Sequence, residues 1–272
     1  MGYTTKFLPG LANKLSDNGH TVKGISASSP LISAYNNIKG SYVFAVNNHM
    51  ISKSKLIEQE RLIEFLPVIT KAKEEGAGDD IKKLLKILLG KKKQYKPINV
   101  LDIMEKCIAY HKACLKAEYT RTVFMNNPKF QMVTGITKTK LEVIDLDFSQ
   151  NPFKTKLFAE DVTKDYVKLL EKGVKVLFTN GEYSIFTPWH GTLQAITNFD
   201  WKHNSLFRNE IPNKLKYGFA KGAHNLGFIK YDGAGHLVSE THSKELVDAI
   251  YENLVNDDKE SEEDNQLKMV HE

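Results

Sequence analysis

The apolar positions of this chain fall into short dense runs set between stretches of helical period. Val174–Thr179 and Leu226–Tyr231 are six-residue runs, each interrupted by a single lysine. That density is the pattern of strands buried on both faces of a sheet. Each run leads into a glycine-containing turn, Asn180-Gly181 in one case and Gly233-Ala234-Gly235 in the other. A further strand is predicted over Val22–Ala27, ended by Ser28-Ser29-Pro30. Lys216–Lys221 is expected to form a hairpin with Leu226–Tyr231 around Gly222-Ala223-His224-Asn225. Helices are predicted over Gly10–Leu15, Thr163–Glu171, Trp189–Ile196 and Ser243–Leu254. Gly173 supplies the stop for the second of these. Ser243 is read as the N-cap of the last, whose Leu246, Val247, Ile250 and Leu254 share a face. Strands alternating with helices predict an α/β fold with a mainly parallel sheet.

Residues 41–136 read differently, as a helical insertion. Ser52–Val68 has helical period in Leu56, Ile57, Ile63 and Leu66, and Ile81–Leu89 is a basic amphipathic helix followed by Lys91-Lys92-Lys93. The basic stretch 82–96 would suit an anionic surface. It lacks the aromatic interleaving that base stacking needs, which favours a solvated helix and loop. One domain is expected over residues 1–255, followed by an acidic, disordered tail over 256–272.

Composition narrows the class. The 272 residues are 41% hydrophobic and 26% charged, ordinary for a globular chain. A net charge of +5 is too diffuse to argue for nucleic acid. No apolar run reaches the roughly 18–20 residues of a membrane span. The opening MGYTTKFLPG has no signal-peptide core, and no Asn-x-Ser/Thr sequon occurs. The two cysteines are Cys107 and Cys114, with His111 between them. On a helix these three share a face, which would suit zinc, although no fourth ligand is in sight. A helix would also hold the two cysteines about 10 Å apart, too far for a disulfide. The good helix formers between them favour two reduced thiols on a helix.

The chemistry centres on Lys230-Tyr231-Asp232-Gly233-Ala234-Gly235-His236-Leu237-Val238. A buried strand ends in two glycines and delivers a histidine at the C-terminal edge of the sheet, where α/β proteins keep their sites. A histidine there can move protons near neutral pH.

Five segments, in order, resemble the serine carboxypeptidase family, α/β-hydrolases that remove C-terminal residues. They are Val22–Ile25 with Tyr42–Ser52, Asp102–Cys114, Tyr119–Ile136, Val176–Gly191 followed by Trp201, and Gly233–His236. Met1–Pro9 aligns with the segment that carries the family nucleophile. The resemblance covers the family's C-terminal two thirds and implies a partial α/β-hydrolase fold, without the family's opening strands and its glycine-rich oxyanion loop. It makes His236 the family histidine. It puts Gly2 at the nucleophile position, Ser184 at the acid position, Met1 at the carboxylate-binding glutamate and Ser239 at the proline after the histidine. It also implies a local disulfide between Cys107 and Cys114, against the reduced helix read from the residues. No cofactor or metal is implied. A glycine has no nucleophilic atom, and Ser184 is expected to accept a hydrogen bond from His236 without supplying charge. The expectation is therefore a homologue without peptidase activity that binds a peptide or protein. The alternatives are residual hydrolysis by His236 with Ser26, Ser28 or Ser29, and an interaction module working through its basic insertion. An uncovered sheet edge along Val22–Ala27 is expected to attract a partner chain. The family is mostly secretory or vacuolar.

Overall fold

The computed structural model describes residues 2–50, 99, 101–105, 116–136 and 160–255. A 3-10 turn, Gly2–Lys6, leads into α1 (Leu8–Asp17), then β1 (Gly24–Ser28) and α2 (Ala34–Asn47). Two short helices follow, α3 (Lys116–Met125) and α4 (Pro128–Thr134). The C-terminal part runs α5 (Thr163–Glu171), β2 (Lys175–Gly181), α6 (Trp189–Thr197), α7 (Asn204–Asn209), β3 (Asn213–Leu215), β4 (Gly218–Ala223) and β5 (Leu226–Tyr231). It ends in α8 (Val238–Thr241), α9 (Ser243–Ile250) and a π-helical turn, Tyr251–Val255. The predicted helices Ser52–Val68 and Ile81–Leu89, the basic stretch 82–96, the Cys107–His111–Cys114 group and the tail 256–272 lie outside the described residues.

The sheet is mixed, in the order β1-β2-β5-β4-β3. β1, β2 and β5 are parallel, in the register Ile25↔Val176 and Phe178↔Phe228, and the β3–β4–β5 meander is antiparallel. The dense apolar runs occupy β2 and β5 because helices cover both faces there. On one face Ile25, Ala27, Val176, Phe178, Leu226 and Phe228 pack with Tyr166, Leu169 and Leu170 of α5 and Ile196 of α6. On the other, Leu177, Ile229 and Tyr231 pack with Val238, Ala249 and Leu254. The alternation along each strand is the period-two pleat, with both sides dry. Tyr166, Phe178 and Phe199 form an aromatic cluster with ring centroids 4.9, 6.4 and 6.2 Å apart.

Some local expectations are revised. Asn180-Gly181 closes β2 rather than turning it, and the turn begins at Glu182. Ser243 is the first residue of α9, not its cap; His242 holds the cap position, and no side chain caps the helix. The strand β3 and the helix α2, whose residues 34–47 run across the expected start of the insertion, carry no strong local pattern. β1 pairs only with β2 among the described residues, so its other edge is open there.

Candidate active site

Gly2 opens the 3-10 turn with φ +57°, the left-handed region that favours glycine. Left-handed backbone at this point lets the residue face the loop that carries His236. Polar anchors hold the turn. Thr5 Oγ1 donates to the Gly2 carbonyl at 2.6 Å and accepts from Leu31 N–H at 3.1 Å. The Tyr166 hydroxyl donates to the Thr5 carbonyl at 2.9 Å, and Lys6 Nζ donates to the Glu160 carbonyl. Burial pushes the Lys6 amine down to about 8.

His236 comes to the same place from the far side of the sheet. After β5 the chain turns at Gly233, whose N–H donates to Glu182 Oε2 at 2.9 Å. His236 N–H donates to the Leu101 carbonyl at 2.7 Å, and the His236 carbonyl accepts from Ser29 Oγ at 2.7 Å. Gly181 permits the approach of β2 to this loop, since a Cβ there would lie 2.0 Å from the Gly235 carbonyl oxygen. The result is direct opposition of two residues: a Cβ built on Gly2 would stand 2.8 Å from His236 Nε2. The ring is buried, edge-on to Phe186 at 5.9 Å, and burial pushes it down to about 4. Near neutral pH it is an uncharged imidazole.

Nδ1 faces a hydroxyl, Thr187 Oγ1 at 2.8 Å. Ser184 stands one step further back. Its Oγ lies 3.3 Å from Thr187 Oγ1 and accepts from Thr187 N–H at 3.2 Å. Ser184 was expected to hydrogen-bond His236 itself; the 184–187 turn instead brings its last residue, Thr187, forward to do so. Thr187 carries no sequence signal beyond being a hydroxyl three residues after Ser184. The turn is held by side chains of α2 and β2. Asn37 Nδ2 donates to the Phe186 carbonyl at 2.9 Å, Ser41 Oγ to the Ile185 carbonyl at 2.9 Å and Asn180 Nδ2 to the Thr187 carbonyl at 3.1 Å. Asn180 was read only as a turn residue, and Asn37 and Ser41 stand in no motif.

The remaining candidates lie elsewhere. Ser29 reaches His236 through its backbone carbonyl and not through the ring. Ser28 is paired along the strand with Thr179, and its hydroxyl is buried without a hydrogen-bond partner. Ser26, on the same strand, pairs with Leu177. Trp201 is a core residue and Ser239 lies in α8. Met1, Cys107 and Cys114 fall outside the described residues. Among the described residues, no group of three or more His, Cys, Asp or Glu side chains fits a metal ion. No helix among them is long and apolar enough to cross a membrane.

A parallel-centred sheet covered on both faces, with a left-handed glycine and a loop histidine meeting at its C-terminal edge, is the architecture of an α/β-hydrolase. The family description "Serine carboxypeptidase" matches residues 2–256, and the chain belongs to that family. It is 27% identical over 151 residues to Serine carboxypeptidase-like 49 of Arabidopsis thaliana, covering 52% of this chain and 27% of the relative. It is also 27% identical over 77 residues to Pheromone-processing carboxypeptidase KEX1 of Phytophthora infestans, covering 26% of this chain and 13% of the relative. The fold matches a crystal structure of a prohormone-processing carboxypeptidase from Saccharomyces cerevisiae with a TM-score of 0.66 and 15% identity, over 87% of this chain and 57% of that one. The chain thus spans less than two thirds of each of these proteins.

Proposed function

We propose that this chain is a serine carboxypeptidase homologue that does not hydrolyse peptides and acts by binding a peptide or protein. The observation that supports this reading is the pairing of His236 with Gly2. Nε2 faces a residue that has no side-chain hydroxyl to activate. Behind the ring, Nδ1 meets the Thr187 hydroxyl, which has no charge to stabilise an imidazolium. Loss of any one triad member leaves only the residual rate that binding and the oxyanion site supply. Hydrolysis through Ser26, Ser28 or Ser29 is disfavoured, because none of these hydroxyls is hydrogen-bonded to the ring. The test is turnover of N-blocked dipeptides by the purified chain across pH 4–8. None is expected. Turnover that disappears in His236→Ala would overturn the reading.

The partner this fold suits is another chain along β1 and α1. Among the described residues β1 pairs on one side only, and Phe7, Leu11 and Leu15, spaced four apart at the cap and along α1, are 50, 57 and 41% exposed. An unpaired strand edge and an exposed apolar stripe are each templates for association. Light scattering on the purified chain is expected to find it associated. A monomer with a cooperative melt refutes the partner.

A further inference from the structure

The hydrogen bonds behind His236 determine which ring nitrogen carries the proton. Ser184 and Thr187 are both fully buried, so each hydroxyl proton needs an acceptor within the cluster. Three contacts are available: Thr187 N–H to Ser184 Oγ at 3.2 Å, Ser184 Oγ with Thr187 Oγ1 at 3.3 Å, and Thr187 Oγ1 with His236 Nδ1 at 2.8 Å. Suppose Nδ1 were protonated and donated to Thr187. The two hydroxyl protons would then have only the Ser184–Thr187 contact to share, and one of them would be buried without an acceptor. Suppose instead that Nδ1 is bare. Ser184 O–H then donates to Thr187, Thr187 O–H donates to Nδ1, and Ser184 Oγ accepts from Thr187 N–H. Both hydroxyl protons and the Thr187 N–H are then placed.

We propose that Thr187, backed by Ser184, is a positioning residue that fixes His236 as the Nε2–H tautomer. This turns the site from a proton acceptor into a hydrogen-bond donor. A general base in this family position needs a bare Nε2 facing the nucleophile and an acceptor behind Nδ1. Here the polarity of the ring is reversed. Nε2–H points at the Gly2 position, and it has no hydrogen-bond partner among the described residues. Such a donor suits an acceptor oxygen, that of a carbonyl or a carboxylate, rather than a hydroxyl proton. The burial that pushes the ring down to about 4 keeps it neutral above that pH, so the tautomer is a defined state near neutrality. This inference deepens the non-hydrolysing reading and can fail separately from it.

The test is two-bond 1H–15N NMR of the full chain labelled at histidine, near pH 7, with the His236 signals assigned by their loss in His236→Gln. The expected spectrum has a pyridine-like Nδ1 and a protonated Nε2 for His236. Thr187→Ser keeps the hydroxyl and should keep this pattern. Ser184→Asp supplies a charged acceptor for the Thr187 proton, which frees Thr187 to accept from Nδ1–H, so the tautomer should invert. A merely structural role for Thr187 and Ser184 would not produce that inversion. A protonated Nδ1 in the unsubstituted chain overturns the proposal, even if a dipeptide assay on the same sample finds no turnover. Turnover with the expected tautomer would overturn the functional reading alone.

Discussion

Restoring the nucleophile by Gly2→Ser is the most direct perturbation of the site, and it is expected to lower stability without producing an enzyme. The new Cβ would stand 2.8 Å from His236 Nε2 and 3.2 Å from Cε1, where ordinary contact begins at 3.4 Å. The ring cannot withdraw freely, because its backbone N–H is tied to Leu101 and its Nδ1 to Thr187. Withdrawal strains or breaks the Thr187 bond, at about 0.5–1.5 kcal/mol. An L-residue at φ +57° adds about 1–2 kcal/mol. The total is about 1.5–3.5 kcal/mol, which for a chain of this size lowers Tm by roughly 3–14 °C. Differential scanning calorimetry of Gly2→Ser beside the parent chain measures it, and dipeptide turnover in the same preparation should stay at background. An unchanged Tm would show that the ring and the turn adapt freely. Turnover lost again on His236→Ala would show that the ring still serves as a base.

Tyr166→Phe removes the hydroxyl that satisfies the buried Thr5 carbonyl; chemical denaturation should show a loss of about 1–3 kcal/mol, the cost of an orphaned buried acceptor. Lys168 and Lys172 hydrogen-bond Asp17 at 2.8 and 2.6 Å and hold its carboxyl down to about 2, from an ordinary value of 3.8. Their stabilisation is therefore complete above about pH 4 and is lost as pH falls through about 2. Asp17→Asn should flatten the acid limb of the stability curve only there, by a small amount that added salt reduces, because the pair is exposed. For Cys107 and Cys114, titration of the unfolded, unreduced chain is expected to find both thiols reactive, and thiols that appear only after reduction would establish the disulfide instead.

Much of the fold is legible in the residue order, for a physical reason. Burial on both faces of a sheet requires nearly every position to be apolar, so Val174–Thr179 and Leu226–Tyr231 announce β2 and β5 locally. Gly173 and Gly233 mark the ends of elements because their backbones are left-handed. The family resemblance pointed to His236, Gly2 and Ser184, and Gly2 and His236 do meet in space. What spacing cannot encode is which of two neighbouring hydroxyls comes within hydrogen-bond distance of a ring. Ser184 and Thr187 are close in sequence and alike in chemistry. Only the curl of the 184–187 turn puts Thr187 at 2.8 Å from Nδ1. That curl is set by Asn37 and Ser41, more than 140 residues away along the chain. The sheet order, which among the described residues puts β1 next to β2 alone, is likewise a non-local result. Residue order determined the elements and the histidine; tertiary packing decided what stands behind that histidine, because an ångström-scale choice of partner depends on contacts between distant parts of the chain.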